Sequence, residues 1–515
     1  MRKWWPLVAV CLGTLMLLID VTILTVALPD IAVGLHASAA GLQWVIDIYA
    51  LGLAALLLGI GSLADQFGRR RVYLAGLVLF AAASLACALA PDAAALITAR
   101  AVQAVGAAAM FATTIALLSV SYSGRERGVA FGVWGAVSGV AAALGPIAGG
   151  LLTEYLSWRW IFLVNLPVSV AAVALTLRVL PASRAGGPVR VDLPGVATFT
   201  LATGAFTYAL TRVSADGWTS AAVDVPLVLA AVALAGFVAV EHRRASPLLD
   251  LALFRRPAFT GLMIGSALIS ASAFAYLVYS SLWLQSVLGR SAIEAGLNLV
   301  PMSVSSLVVS VAIGRFLHGW APRWPVGGGL LLIGAGALLQ TVVKAGSTGT
   351  VLLPGLIVSG VGVGLAIPPL SSAALGMVPP ERSGMAGGAV TTFRQLGYAL
   401  GIAVSGVIFQ SRAANALRGR AHLADAAAES RALAAGQGDA LIAHAQAGQR
   451  AATGNLVHAA AASALSQVCL VAGTAGVLGG VLVIILLRRP YARPATPRPA
   501  GDSHLSTAGD VASPG

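Results

Sequence analysis

Long apolar runs recur along the whole 515-residue chain, separated by short polar segments in which arginine, aspartate and glycine concentrate. Runs of spanning length fall at 6–29, 42–64, 72–90, 93–119, 128–152, 160–180, 192–212 and 222–241. After a basic, Pro-containing linker they resume at 258–285, 295–318, 325–344, 350–374, 384–411 and 456–487. A hydrocarbon core of about 30 Å takes roughly 20 residues of helix to cross. In lipid a single segment satisfies its own backbone only as a helix, so the pattern predicts an all-α chain of fourteen spans. Two segments break it. Residues 412–455 are Ala-rich with scattered charge and read as an external loop, weakly helical; residues 490–515, rich in Pro, Ala, Ser, Thr and Gly, read as a disordered tail.

Composition agrees with the pattern. Hydrophobic residues make up 58% of the chain, charged residues 10%, and the mean hydropathy is +0.88, where a soluble domain carries about a quarter charged residues. The net charge of +13 is not spread evenly: 21 of the 32 lysines and arginines fall on one side of the expected spans and nine on the other. That asymmetry places both termini in the cytoplasm, so the basicity reports orientation and gives no ground for a nucleic-acid partner. Cys11, Cys87 and Cys469 lie in separate apolar runs, and the seven histidines are scattered, which leaves neither a disulfide framework nor a metal cluster. The only lysines, Lys3 and Lys344, do not follow glycine, so no phosphate-binding loop exists. The chain is expected to be no enzyme, to bind no nucleotide or cofactor, and to draw on a proton gradient. The first apolar run is too long for a signal-peptide core and is read as retained.

Polar exceptions within this pattern carry the chemistry. Asp20 interrupts the first run, where a carboxylate costs roughly 2.5 kcal/mol or more on insertion and marks a functional site by default. Of 19 acidic residues only Asp20 and Asp47 fall well inside the expected spans. Arg100 lies at similar depth, each about 8–14 Å from the external end of its helix. These three are expected to share one layer and to couple proton movement: protonation would discharge a carboxylate, while Arg100 would favour its ionised form. A static ion pair that fixes helix packing fits the same residues, and Asp47 also fits the role of a mouth residue.

The loop after the second run reads Gly61-Ser62-Leu63-Ala64-Asp65-Gln66-Phe67-Gly68-Arg69-Arg70-Arg71. Gly61 and Gly68 permit a tight helix-to-helix junction, and Asp65 can pair with an arginine or cap a helix N-terminus. We read Gly61, Asp65, Gly68, Arg69 and Arg70 as a latch at the cytoplasmic face. The loop after the tenth run, Gly314-Arg315 to Arg323, repeats the glycine and terminal arginine, with His318 in place of Asp65. This echo pairs spans 1–6 with 9–14 and leaves 7 and 8 as an inserted pair.

The Gly61–Arg71 loop resembles the signature of the major facilitator superfamily. Leu18 to Ile23 with Ala27-Leu28-Pro29, and Trp158 to Pro167, resemble motifs of its fourteen-helix drug:proton antiporters; so do Gln285 to Gly289, Ala295-Gly296-Leu297 to Pro301, Gly384 to Gly388 and Arg394-Gln395-Leu396-Gly397. Arg100 to Gly106 is similar to the fourth-helix motif linked to proton coupling, with Ala104 where that motif usually has glycine. Gly145, Pro146, Gly149 and Gly150 are similar to the fifth-helix antiporter motif, with Ala141 at a further glycine position. The resemblance, over residues 5–487 apart from the external loop, implies two six-helix bundles around a central cavity and a multi-pass plasma-membrane (inner-membrane) protein. It implies proton-coupled export of hydrophobic or cationic small molecules; a dedicated exporter of one metabolite and a passive channel or uniporter are the alternatives.

The expected organisation is then a first bundle over 1–182, an inserted pair over 183–250, helices 9–13 over 251–411, the loop 412–455, helix 14 over 456–487 and the tail 488–515. Trp44, Tyr49, Tyr276, Tyr279, Gln285, Phe393 and Arg394 are the candidates to line the cavity. The expected partners are protons, a small-molecule substrate and the lipid bilayer, with the protein acting as a monomer.

Overall fold

A computed structural model describes residues 2–181, 192–244, 247–316, 320–418, 426–434, 438–443 and 449–488. The described chain is helical, with no strand among these residues. In order the helices are α1 (Trp5–Gly34), α2 (Ala39–Phe67), α3 (Arg69–Ala88), α4 (Ala93–Ser121), α5 (Gly124–Tyr155), α6 (Trp160–Leu163), α7 (Asn165–Val179), α8 (Leu193–Asp216) and α9 (Ala221–Arg243). They continue as α10 (Pro257–Ala273), α11 (Ala275–Ser286), α12 (Ala292–Phe316), α13 (Arg323–Leu339), α14 (Leu353–Leu375), α15 (Ser383–Leu417), α16 (Ala426–Ala434), α17 (Gly438–Ala443) and α18 (Arg450–Leu486).

Thirteen of the expected spans coincide with helices long and apolar enough to cross a membrane. The other, expected at 128–152, is the 32-residue helix α5. Two spans are broken by one residue each: Val164 separates α6 from α7, and Phe274 separates α10 from α11. The segment 412–455 is less loop than the sequence suggests. α15 runs on to Leu417, α18 begins at Arg450, and α16 and α17 lie between, since alanine favours helix once neighbours supply packing. The tail from 489 onward, residues 182–191 and His318 of the echo lie outside the described residues.

Packing follows the repeat. In one half α3 lies along α4, α1 along α5 and α2 along α4; in the other α13 lies along α14, α10 along α15 and α12 along α14. The third and fourth helices of each half cross where glycines meet. A Cβ built on Gly76 would fall 2.9 Å from the Gly106 carbonyl oxygen, and one on Gly329 would fall 2.5 Å from that of Gly362. Small residues are what lets lipid-embedded helices approach this closely. The halves meet through α5 against α12 and α2 against α15, while α8 packs on α9 and against both α2 and α15. The inserted pair thus leans on the seam between the halves. At its linker end the buried Glu241 carboxylate accepts from the Leu248 and Leu249 backbone N–H groups, tying the linker to α9.

Candidate functional site

Arg100 and Gln103 stand three residues apart on α4, hence on one face of it, and both turn inward toward α1. The Arg100 Nη1 donates to Asp20 Oδ2 at 2.6 Å and to Gln103 Oε1 at 2.7 Å. Gln103 Nε2 donates to Asp20 Oδ1 at 2.9 Å and to Ser84 Oγ of α3 at 2.9 Å. Asn165, the first residue of α7, donates to Asp20 Oδ1 at 3.0 Å. The break at Val164 turns the chain so that this amide reaches in. Asp20 and Arg100 are each 1% exposed, so one ion pair with three polar neighbours is sealed inside the first half. Charge-assisted bonds of this kind are the strong ones, and in a low dielectric the penalty for leaving either charge alone is large.

Asp47 does not join this layer. On α2, Val45 accepts from Arg100 Nε through its carbonyl at 3.3 Å, and the Tyr49 ring lies 4.2 Å from the guanidinium carbon. Residues 45 and 49 share one face; residue 47 is turned about 200° from 45. Asp47 is accordingly half-buried on the side of α8, accepts from Gln43 Nε2 at 2.9 Å and feels the charge of Arg212. Depth along the helix is legible from sequence, but shared depth does not mean a shared face.

The Gly61–Arg71 loop holds the two halves together. Gly68 adopts a φ of +98° and alone separates α2 from α3. Asp65 accepts from Arg69 Nε and Nη2 at 3.0 and 2.8 Å. Its two oxygens also accept from the Gly384 and Met385 backbone N–H groups, each at 2.8 Å. The carboxylate therefore pairs with a neighbour and caps the N-terminus of α15 at once, where the helix dipole favours it. Gly61 sits against α15 so closely that an added Cβ would lie 2.7 Å from the Gly384 carbonyl oxygen. Gly132 of α5 abuts the Ser310 backbone of α12 in the same way, and Arg70 Nη2 donates to the Leu177 carbonyl at 2.6 Å. This arginine-rich face is closed.

Elsewhere, Gly145 packs on Thr22 of α1, no atom lies within 4 Å of a Cβ on Gly150, Gly149 is buried, and α5 continues unbroken across Pro146. Trp44 stacks on Tyr208 of α8 at 5.7 Å, so it faces the inserted pair. Tyr49 belongs to the Arg100 site, with its hydroxyl buried and unpartnered. Tyr276 is fully buried, bonded to Gln340 at 2.9 Å. Tyr279 stacks on Phe409, Gln285 donates to Ser281 Oγ, Phe393 lies against Phe254, and the Arg394 guanidinium lies 5.6 Å from the Trp134 ring.

A model of the Major Facilitator Superfamily matches residues 10–402. The chain belongs to the major facilitator superfamily. It is 37% identical over 403 residues to the multidrug resistance protein Stp of Mycobacterium tuberculosis, covering 78% of this chain and 75% of that one. It is 38% identical over 409 residues to the puromycin resistance protein pur8 of Streptomyces alboniger, covering 78% and 81%. Its fold is similar to the crystal structure of the human organic anion transporter MFSD10, with a TM-score of 0.61 at 17% identity over 93% of this chain and 99% of that one. This major facilitator chain is a membrane transporter of many spans, related to drug and antibiotic efflux proteins, and not an enzyme.

Gln103, Asn165 and Ser84 complete the site of this transporter and were not singled out from sequence. Gln103 and Asn165 both stand inside motifs read for their resemblance. Their signal was a polar side chain in an apolar run, at one helical turn from Arg100 and beside Pro167.

Proposed function

We propose that this transporter exports hydrophobic small molecules across the plasma membrane in exchange for protons, by alternating access. The observation that carries the reading is the sealed Asp20–Arg100 pair, 2.6 Å apart with the Gln103 and Asn165 amides on the same carboxylate. Protonation of this carboxylate would cancel its attraction to Arg100 and loosen the network, so proton binding and a rearrangement of α1 against α4 are linked. Asp65, capping α15 across the seam, would hold the cytoplasmic face shut in one state and let go in the other. One charge moved across 100 mV supplies about 2.3 kcal/mol, enough for a solute gradient of roughly fifty-fold.

Relatives named for multidrug resistance and for resistance to one antibiotic both favour export. They leave a broad exporter and a dedicated one as two forms of the same mechanism. The experiment is uptake of a fluorescent lipophilic substrate into inverted membrane vesicles under an imposed pH gradient. Uptake that follows the gradient and collapses with a proton ionophore supports exchange. Flux indifferent to the gradient makes the protein a uniporter.

A further inference from the structure

One cation in the membrane-spanning region has no counter-charge. Arg394 lies about 16 Å along α15 from Ser383, at the level where the halves face each other. Its guanidinium points across the seam at the Trp134 ring of α5, 5.6 Å away. Trp134 is itself fixed by donation from its Nε1 to Thr14 Oγ1 of α1 at 3.0 Å. Among the described residues Arg394 makes no ion pair and no hydrogen bond. It is half-buried, and none of its nitrogens is a sealed donor.

The carboxylates that could neutralise it are committed elsewhere. Asp20 is held by Arg100, Gln103 and Asn165; Asp65 by Arg69 and the start of α15; Asp47 faces α8. A hydroxyl on the same helix has a proton to offer. Tyr398 stands one turn outward on α15 and is an electrostatic neighbour of Tyr279 of α11. Neither hydroxyl has a hydrogen-bond partner among the described residues. An uncompensated arginine in a membrane interior is rare and marks a pathway or a binding point.

We infer that Arg394 receives the acidic group of the transported molecule, so that the substrate class is a flat lipophilic organic anion, a carboxylate or phenolate, and not a lipophilic cation. This rests on the exporter reading and narrows its substrate. The planar fork of arginine matches a carboxylate bidentately, and Trp134 covers the guanidinium on one side while leaving its N–H groups free. The Tyr398 hydroxyl, one turn along α15, can donate to a further acceptor of the molecule. A cation at the same place would meet Arg394 with no carboxylate to offset it. An anion moving out as one proton moves in transfers two charges in the same sense, so an inside-negative potential alone should drive it; exchange of a monovalent cation for one proton moves no net charge.

The test uses one scaffold with opposite charges: fluorescein (anionic) and rhodamine 6G (cationic). Fluorescence polarisation is measured on the full-length protein in nanodiscs, with empty nanodiscs subtracted. Wild type is expected to bind fluorescein about tenfold more tightly than rhodamine 6G. Arg394→Leu should weaken fluorescein about tenfold and leave rhodamine 6G unchanged or tighter, and Arg394→Lys should recover part of the loss. Absence of saturable fluorescein binding to wild type, tighter binding of rhodamine 6G, or an equal loss of both dyes in a folded Arg394→Leu overturns the assignment. If Arg394→Leu does not fold, the wild-type preference decides alone. Transport separates this inference from the reading beneath it: flux of fluorescein that ignores a pH gradient, with the binding pattern intact, refutes proton exchange and leaves the anion site standing.

Discussion

The first and second halves put a buried polar cluster on corresponding helices, and only one of the two clusters is charged. In the first half Asp20 of α1, Ser84 of α3, and Arg100 and Gln103 of α4 meet. In the second, Tyr276 of α11, Gln340 at the end of α13 and Ser359 of α14 meet: Gln340 Nε2 donates to Tyr276 Oη at 2.9 Å, and the Tyr276 and Ser359 hydroxyls lie 3.4 Å apart. Both clusters use the first, third and fourth helices of their repeat, the first half adding Asn165 from its sixth, and in both halves the third and fourth helices cross at paired glycines. The difference teaches a division of labour. The first half seals a titratable group with its counter-ion. The second half replaces it with neutral groups and carries an unpaired arginine on α15.

The comparison breaks most visibly if charge is removed from one side of the first cluster. Arg100→Leu leaves Asp20 buried without its counter-ion, and should cost about 3–5 kcal/mol, read as a large fall in thermal unfolding midpoint and in yield from membranes. The double change Asp20→Asn with Arg100→Gln should restore much of the stability and none of the pH-driven flux. An equal loss from the single and the double change would mean the pair is not a unit.

Blocking the closed face comes next. Gly61→Val places methyl groups where Gly384 backbone already lies, so the face cannot shut. Flux should fall by about tenfold or more, since only van der Waals room at a seam is lost and the helices must separate. Cysteine labelling from the cytoplasmic side should rise in parallel.

The second cluster should respond weakly. Tyr276→Phe removes the hydroxyl's hydrogen bonds to Gln340 and Ser359 and should cost about 1–2 kcal/mol. Gln340→Leu removes the amide's bonds to the Tyr276 hydroxyl and the Gly336 carbonyl and should cost about the same, because its Oε1 has no partner to lose. Neither should change the dependence of flux on the pH gradient; a loss of coupling in either variant would erase the distinction between the halves. The smallest effect belongs to Asp47→Asn. Its exposed hydrogen bond to Gln43 predicts a change of stability below about 1 kcal/mol and flux within about twofold of wild type.

Much of this was legible in the chain. Run lengths and arginine-rich loops located the spans, because lipid forces each apolar run into a helix of nearly fixed length. Asp20 and Arg100 stood out because mid-span charge is expensive. What sequence left open was rotation about each helix axis. Asp47 shares the depth of Asp20 but faces α8, and Trp44 with it. Nor did it give Gln103, Asn165 and Ser84 their weight, since neutral amides and hydroxyls in an apolar run also serve ordinary packing. The link from Asp65 to Gly384 and Met385 spans more than three hundred residues of chain, and only folding brings them together.

The central claim is that the Asp20 carboxylate couples solute to proton, and its most direct test separates exchange from uphill movement in one preparation. Asp20→Asn protein is reconstituted in proteoliposomes and assayed for substrate–substrate exchange at equal pH and for accumulation against a gradient under an imposed pH difference. Exchange should persist while pH-driven accumulation is lost, because the amide keeps the network's shape without its titration. Accumulation that survives in Asp20→Asn would contradict the claim and move the coupling site elsewhere.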